Sequence, residues 1–287
     1  MIGMTTYLNC LCRWSGMTAF VIMPLLGLTL PASAGQRPET VLVFAGSGTN
    51  LPIVRVLARE FKKRHPGVRI DVPPSIGSSS GIKAAADGAI AIGLTSRPLK
   101  ESEKRQGLEV IAFARTPIII GVNQSVAEKN ISYAEIIDIY RGKKNRWQNG
   151  REIIVLTREP VDSSIEAMSS VVPGFREAYE ESQKSKRWTT LIKDLEMNET
   201  LARTTDAIGF SDLGAIKIEG HRIKPLVVNG VSPTVNNLES GVYPLFKPLL
   251  FVFHKERLPP AAGKFIAFVR SKEGAKIMRA NGYLPEK

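Results

Sequence analysis

Residues 40–61 read TVLVFAGSGTNLPIVRVLAREF, and a change of hydrophobic period inside this stretch decides the fold. Thr40 to Phe44 is a compact apolar run with glycine beyond it, which suits a strand buried on both faces. After the small-residue turn Gly46 to Asn50 the period lengthens. Leu51, Val54, Leu57, Ala58 and Phe61 recur at helical spacing, Arg55, Arg59, Glu60 and Lys62 fall elsewhere, and His65-Pro66-Gly67 stops the helix. Val68 to Val72 reads as a second strand. Gly77 to Gly81 is a Ser/Gly loop opening a short helix through Ala86, and Ala89 to Leu94 is a third strand ending at Thr95-Ser96-Arg97-Pro98. Three strand–loop–helix steps in succession predict an α/β domain with a largely parallel sheet.

Val110 to Val122 is an apolar run broken only by Arg115, Thr116 and Pro117, longer than an ordinary strand and suited to passing from one lobe to another. Helices are expected at Tyr133 to Tyr140, Asp162 to Val171, Phe175 to Lys186, Leu191 to Arg203, Pro260 to Val269 and Glu273 to Ala280. Strands are expected at Ile153 to Thr157, Ala207 to Phe210, Ile223 to Val228 and Leu249 to Phe253.

With 43% hydrophobic and 23% charged residues, the 287-residue chain has the composition of a folded protein and not of a disordered one. At the N-terminus Arg13 precedes an apolar run from Met17 to Leu30, followed by Pro31-Ala32-Ser33-Ala34. That order reads as a signal peptide, residues 1–34, cut after Ala34. The alternative is an uncleaved anchor, although the run is shorter than the ~20 apolar residues a spanning helix needs. Cys10 and Cys12 lie in the same segment, so the exported chain carries no thiol, disulfide or thiolate metal site. Both precede the apolar run, so the lipoprotein pattern is not met.

The net charge of +12 could serve nucleic acid, an acidic membrane face or a smaller anion. The basic residues are scattered in clusters such as Lys62-Lys63-Arg64 and Lys143-Lys144, with no interleaved aromatics and no nucleic-acid module, so nucleic acid is not an expected partner. His65, His221 and His254 lack metal-ligand spacing, and no cofactor is expected. Trp147 and Trp188 read as packing residues. Ser47 has no His or Lys placed by any motif to activate it, which argues against a hydrolase.

Three loops each follow a strand and open a helix: Gly46 to Pro52, Gly77 to Gly81, and Arg158 to Ser164. Helix N-termini carry unsatisfied N–H donors and partial positive charge, so several aimed at one point bind an anion without a metal. Glycine allows close approach, and hydroxyls add donors. Arg158 supplies a full charge in a fork shaped for two oxygens of a tetrahedral anion. Taken singly, each loop is better explained by plain capping; it is the three together, in an exported α/β chain, that point to an anion.

In order, Gly46-Ser47-Gly48-Thr49-Asn50-Leu51-Pro52, Ile76-Gly77-Ser78-Ser79, Ile92 through Leu99, Ile139-Tyr140-Arg141-Gly142, Arg158 with its small polar trio, Ala207-Ile208-Gly209-Phe210 and Gly241-Val242-Tyr243-Pro244 resemble the periplasmic phosphate-binding proteins of ABC transporters. These are type II two-lobed solute receptors, and the resemblance runs from Val41 to Pro285. It implies a two-lobed α/β fold with residues 35–114 and 226–287 in one lobe and 115–225 in the other, crossing near Arg115 and Leu226. It further implies a periplasmic, monomeric binder that performs no chemistry, captures inorganic phosphate in the cleft and delivers it to inner-membrane permease subunits. A receptor for sulfate, molybdate or tungstate is the alternative, and an exported phosphatase a remoter one.

The residues implied to bind the ligand are Thr49, Asn50, Leu51 through its backbone, Ser78, Ser79, Ser96, Arg158, Asp162, Ser163 and Ser164. Two positions depart from the family pattern. An aspartate that accepts the proton of hydrogen phosphate, and so rejects sulfate, stands there at the position of Ser96, and a Ser-Gly-Thr trio stands at Asp162-Ser163-Ser164. Asp162 either takes over the acceptor role across the cleft or caps its helix.

Overall fold

The computed structural model describes residues 39–286; the signal peptide expected at 1–34 lies outside them. The chain opens with β1 (Thr40–Gly46), a 3-10 turn at Gly48–Asn50 and α1 (Leu51–Arg64). Ile53, Val54, Leu57 and Phe61 of α1 are buried on one face, and Lys62, Lys63 and Arg64 complement the dipole of its last turn. Next come β2 (Val68–Asp71), α2 (Ser78–Ala86), β3 (Ile92–Thr95), α3 (Glu101–Lys104) and β4 (Glu109–Asn123). β1 pairs in parallel with both β2 and β3, as the strand–loop–helix pattern requires.

The middle of the chain carries β5 (Asn130–Ile131), α4 (Tyr133–Tyr140), β6 (Ile154–Arg158), α5 (Ser163–Val171), α6 (Phe175–Lys184), β7 (Thr189–Leu191), α7 (Asp194–Arg203) and β8 (Ala207–Asp212). α8 (Leu213–Glu219), β9 (Ile223–Pro225), β10 (Val227–Val228), α9 (Val235–Glu239), β11 (Phe246–Phe253), α10 (Pro260–Val269), α11 (Lys272–Ala280) and β12 (Leu284–Pro285) complete it. Where a helix was expected from Leu191, Leu191 instead ends β7, in parallel register with Arg158, and the helix starts at Asp194. The strand expected over Ile223 to Val228 breaks at Leu226 into β9, which pairs with β4, and β10, which pairs with β5.

The strand order β2-β1-β3-β11-β4-β8-β6-β7 is continuous because β4 belongs to two sheets. Its first part, Glu109 to Pro117, pairs antiparallel with β11, and its second part, Ile118 to Val122, pairs antiparallel with β8. The two largest hydrophobic cores follow accordingly. One gathers Phe44, Leu57, Phe61, Phe113, Phe251 and Phe265, and the other Ile120, Tyr140, Phe175, Phe210, Tyr243 and Leu245. Leu226 and Val228 also pack in the second core, and pairing of the returning chain with the first part of β4 begins at Phe246. Leu226, Tyr243 and Leu245, all at most 1% exposed, belong to that second core.

Candidate functional site

The loops after β1, β3 and β6 and the start of α2 meet in one cleft of about 340 Å³. Ser47, Gly48, Ser78, Ser79 and Ser96 line it from the side of the first core. Arg158, Asp162, Ser163 and Asp194 line it from the side of the second. The two sides touch through a chain of hydroxyls, with Ser96 Oγ 2.7 Å from Ser47 Oγ and 2.9 Å from Ser163 Oγ. Ser96 N–H donates to Ser78 Oγ at 3.3 Å, tying the α2 start to the same point. α2 begins after Gly77, whose φ of 80° and ψ of 159° belong to a region open essentially to glycine alone. The first-turn N–H groups of α2 have no helical carbonyl ahead of them and are free to face an anion.

Not every expected residue reaches the cleft. Thr49, Asn50 and Leu51 lie beneath its floor, because the 3-10 turn folds the loop back on itself: Leu51 N–H donates to Gly48 O and Asn50 N–H to Ser47 O. The Leu51 amide, expected to contact the ligand, is engaged within this turn. Asn50 is fully buried, its Nδ2 donating to Thr95 O at 3.3 Å and its Oδ1 lacking a partner. Ser164 is also beneath the surface, its N–H donating to Asp162 Oδ1 at 2.8 Å. Ser79 Oγ accepts from Arg97, whose guanidinium is held by Glu103 at 2.8 Å. The loop residues that do line the cleft are Ser47 and Gly48, adjacent to those expected.

Arg158 ends β6 with its side chain only 4% exposed. Its Nε and Nη2 donate to Asp162 Oδ2 at 3.0 and 2.7 Å, while Nη1 has no partner. Burial alone would lower the Arg158 pKa, but Asp194 and Asp162 outweigh it and hold the guanidinium charged. Asp162 N-caps α5 through Oδ1 and pairs with Arg158 through Oδ2, so the hydrogen bonds are those of the capping alternative. Burial would raise Asp162, yet the Lys247 and Arg158 charges bring it down to about 2.

Lys247 and two carboxyls complete the electrostatics, and none of the three was expected. Lys247, on β11, is 1% exposed; its Nζ donates to Thr49 Oγ1 at 3.1 Å and lies 3.6 Å from Asp194 Oδ1 and 3.7 Å from Asp212 Oδ2. Burial would lower its pKa, but Asp212, Asp162 and Asp194 raise it. Asp212 is itself 2% exposed, and burial pushes it up to about 7 against the pull of Lys247. A lysine flanked by Phe246, Pro248 and Leu249 in a buried strand was the available signal, since an unpaired cation is not left in such a run. Asp194 was hidden inside the helical reading of Leu191 to Arg203. Two cations face three carboxyls here, so attraction for an anion rests on amides, hydroxyls and the unspent Arg158 Nη1 more than on net charge.

A model of the PBP superfamily domain matches residues 32–273. Among curated relatives, the phosphate-binding protein PstS of Bacillus subtilis is 24% identical, covering 88% of this chain and 83% of that protein. SphX of Synechococcus elongatus is 27% identical, with coverages of 93% and 85%. Among solved structures is a Clostridium perfringens protein with bound phosphate, assigned as a phosphate ABC transporter substrate-binding protein. It superposes with a TM-score of 0.76 at 26% identity, covering 86% of this chain and all of that one.

Proposed function

Because the chain belongs to the PBP superfamily, we propose that it is an exported substrate-binding protein that captures inorganic phosphate between its lobes and hands it to an ABC transporter permease. One observation carries the reading: hydroxyls from three loops converge across the cleft at the starts of two helices, with the buried fork of Arg158 beside them. This is the geometry that amide and hydroxyl recognition of a tetrahedral oxyanion requires. The phosphate-binding relatives support the choice of anion. In this reading residues 39–117 with 246–286 form one lobe and 118–245 the other, the expected leader at 1–34 directs a monomer to the periplasm, and closure about the ligand is what the permease recognises.

In this reading the protein is a binder and not a hydrolase. Ser47 Oγ is hydrogen-bonded to the Ser96 hydroxyl at 2.7 Å, an engagement that suits a ligand donor. Calorimetry of the exported chain with phosphate, sulfate and molybdate tests the proposal. Saturable phosphate binding at one site is expected; heat from molybdate or sulfate alone would move the protein to the other oxyanion class. Turnover of a chromogenic phosphate ester would refute the binder.

A further inference from the structure

At and beneath the cleft floor, Arg158 and Lys247 are gathered with Asp162, Asp194 and Asp212, and these charges act on one another. They come from both sides of the boundary between the cores. In the β4 ladders Lys247 stands opposite Thr116 and Asp212 opposite Ile118, the residues on either side of Pro117. Ionised throughout, the cluster has a surplus negative charge before any anion arrives. Its carboxyls are not equally held. Asp162 is bonded through both oxygens, to Ser164 N–H and to Arg158. Asp194 faces Arg158 Nη2 at 3.5 Å and Lys247 Nζ at 3.6 Å, and its side chain, 20% exposed, is reached by water. Asp212 is 2% exposed. Its Oδ2 lies 3.7 Å from Lys247 Nζ, too far for a hydrogen bond, and its Oδ1 has no partner among the described residues. The Lys247 ammonium donates to Thr49 Oγ1 instead, at 3.1 Å. Tyr283, fully buried and within the field of Asp212, has a hydroxyl that also lacks a partner among the described residues.

We propose that phosphate capture is coupled to proton uptake at Asp212: an anion entering the cleft adds to the negative charge gathered beneath it, and the carboxyl least held by donors takes up a proton as the cleft fills. The coupling rests on the phosphate reading above. Asp212 is not among the residues lining the cleft, so the two events communicate through charge and not through contact. Burial pushes Asp212 up, Lys247 pulls it down, Asp194 and Asp162 push it up again and the Thr49 hydroxyl lowers it, leaving it at about 7. An added anion acts in the same direction as Asp194 and Asp162 and moves it higher. Once Asp212 is neutral, Arg158 and Lys247 face Asp162 and Asp194 alone, and the surplus negative charge that would repel phosphate is gone. The sign follows from linkage. The filled protein binds more protons than the empty one, so this contribution favours binding below pH ~7 and weakens it as pH rises above that value.

The test is calorimetry of the exported chain with phosphate, slightly above neutral pH and in buffers of different ionisation heat, for the wild type and Asp212→Asn. Asparagine keeps the shape of the side chain and stands in for the protonated carboxyl. The titration of phosphate itself is common to both proteins, so the difference in protons taken up per site reports Asp212. The wild type is expected to take up roughly half a proton more than the variant, and its affinity relative to the variant's to fall about five- to tenfold between pH ~6 and pH ~8. Equal proton counts, with an affinity ratio that pH does not move, overturn the coupling and leave phosphate binding in place. Carboxyl carbon NMR of the wild type needs no substitution. One carboxyl should titrate near neutrality, and at higher pH once phosphate is bound. Carboxyls that all titrate below pH ~5, or a near-neutral one that phosphate does not move, overturn the proposal even where Asp212→Asn does not fold. A wild type that binds no phosphate at any pH overturns the phosphate reading itself, and the coupling with it.

Discussion

Replacing Asp162 with asparagine separates stability from binding, because the structure gives the two opposite signs. Asparagine can keep the cap on Ser164 N–H, made at 2.8 Å, but loses the charge that faces Arg158 Nε and Nη2 at 3.0 and 2.7 Å. The pair is nearly enclosed, with side chains 4% and 12% exposed, so solvent screens it little. A carboxyl brought from 3.8 to about 2 stabilises the folded state by roughly 2–3 kcal/mol at pH 7. An exposed pair would contribute less than about 1 kcal/mol, and a buried cation left with no partner would cost about 3–5 kcal/mol. Arg158 retains Asp194 at 3.5 Å, which favours the lower figure. The melting temperature should fall by about 5–10 °C at neutral pH. Since the folded pKa lies below the unfolded one, this stabilisation is present above pH ~4 and lost as pH falls from about 4 to 2, so the two proteins converge in acid. Binding moves the other way. The variant frees two Arg158 donors and removes one negative charge from the cleft, so phosphate affinity measured by calorimetry should rise about tenfold, near 1.4 kcal/mol. Affinity and stability falling together would refute the reasoning and make Asp162 a direct ligand of the anion.

Gly48→Ala places a methyl group against Asp194 Oδ2; phosphate affinity is expected to fall at least about tenfold, with a melting temperature within a few degrees of wild type, and retained affinity would show that Asp194 yields easily. Lys247→Met leaves Asp212 without its buried cation, and Asp194 with Arg158 alone, and should cost about 3 kcal/mol in urea unfolding. The folded pKa of Asp212 is raised, to about 7, so the loss should shrink as pH falls below that value and the carboxyl takes up a proton; a cost independent of pH would exclude Asp212 as the responsible group. Gly77→Ala forces a side chain into a backbone conformation at φ 80° and ψ 159°, with an expected cost of about 1–3 kcal/mol and weaker phosphate binding through a displaced Ser78; unchanged values on both counts would mean the turn relaxes freely.

Much of this fold was written in hydrophobic period. α4 and α10 occupy the expected residues, and β1, α1 and β2 follow the 40–61 stretch and its continuation within a few positions. The long run to Val122 did turn out to be one strand shared by two sheets. What escaped depends on contacts distant in sequence. Leu191 has the spacing of a helix and is nonetheless recruited as a strand end beside Arg158, and that pairing, distant in sequence, leaves Asp194 as the first residue of α7. The stretch from Leu226 to Leu245 could by composition join either core, and only packing against Ile118, Ile120 and Phe210 places its apolar residues in the second. Within the site, the serines and Arg158 announced themselves by position in Gly/Ser loops. The fate of individual amides, as at Leu51, is settled by the turn geometry, which composition does not encode.

β4 and β11 are zipped together up to the boundary between the cores, Phe246 opposite Pro117, and Ile118 N–H donates to Leu245 O at 2.9 Å just beyond it. The joint is therefore a hydrogen-bonded ribbon and not a pair of slack tethers. Such a ribbon resists in-plane bending but yields to torsion, the deformation strands adopt naturally. Gaping of this molecule should accordingly be a twist of a few paired residues with every ladder bond kept. Amide exchange at Ile118 that stays slow whether or not phosphate is bound would bear this out, and fast exchange in the empty protein would show the ribbon coming apart instead.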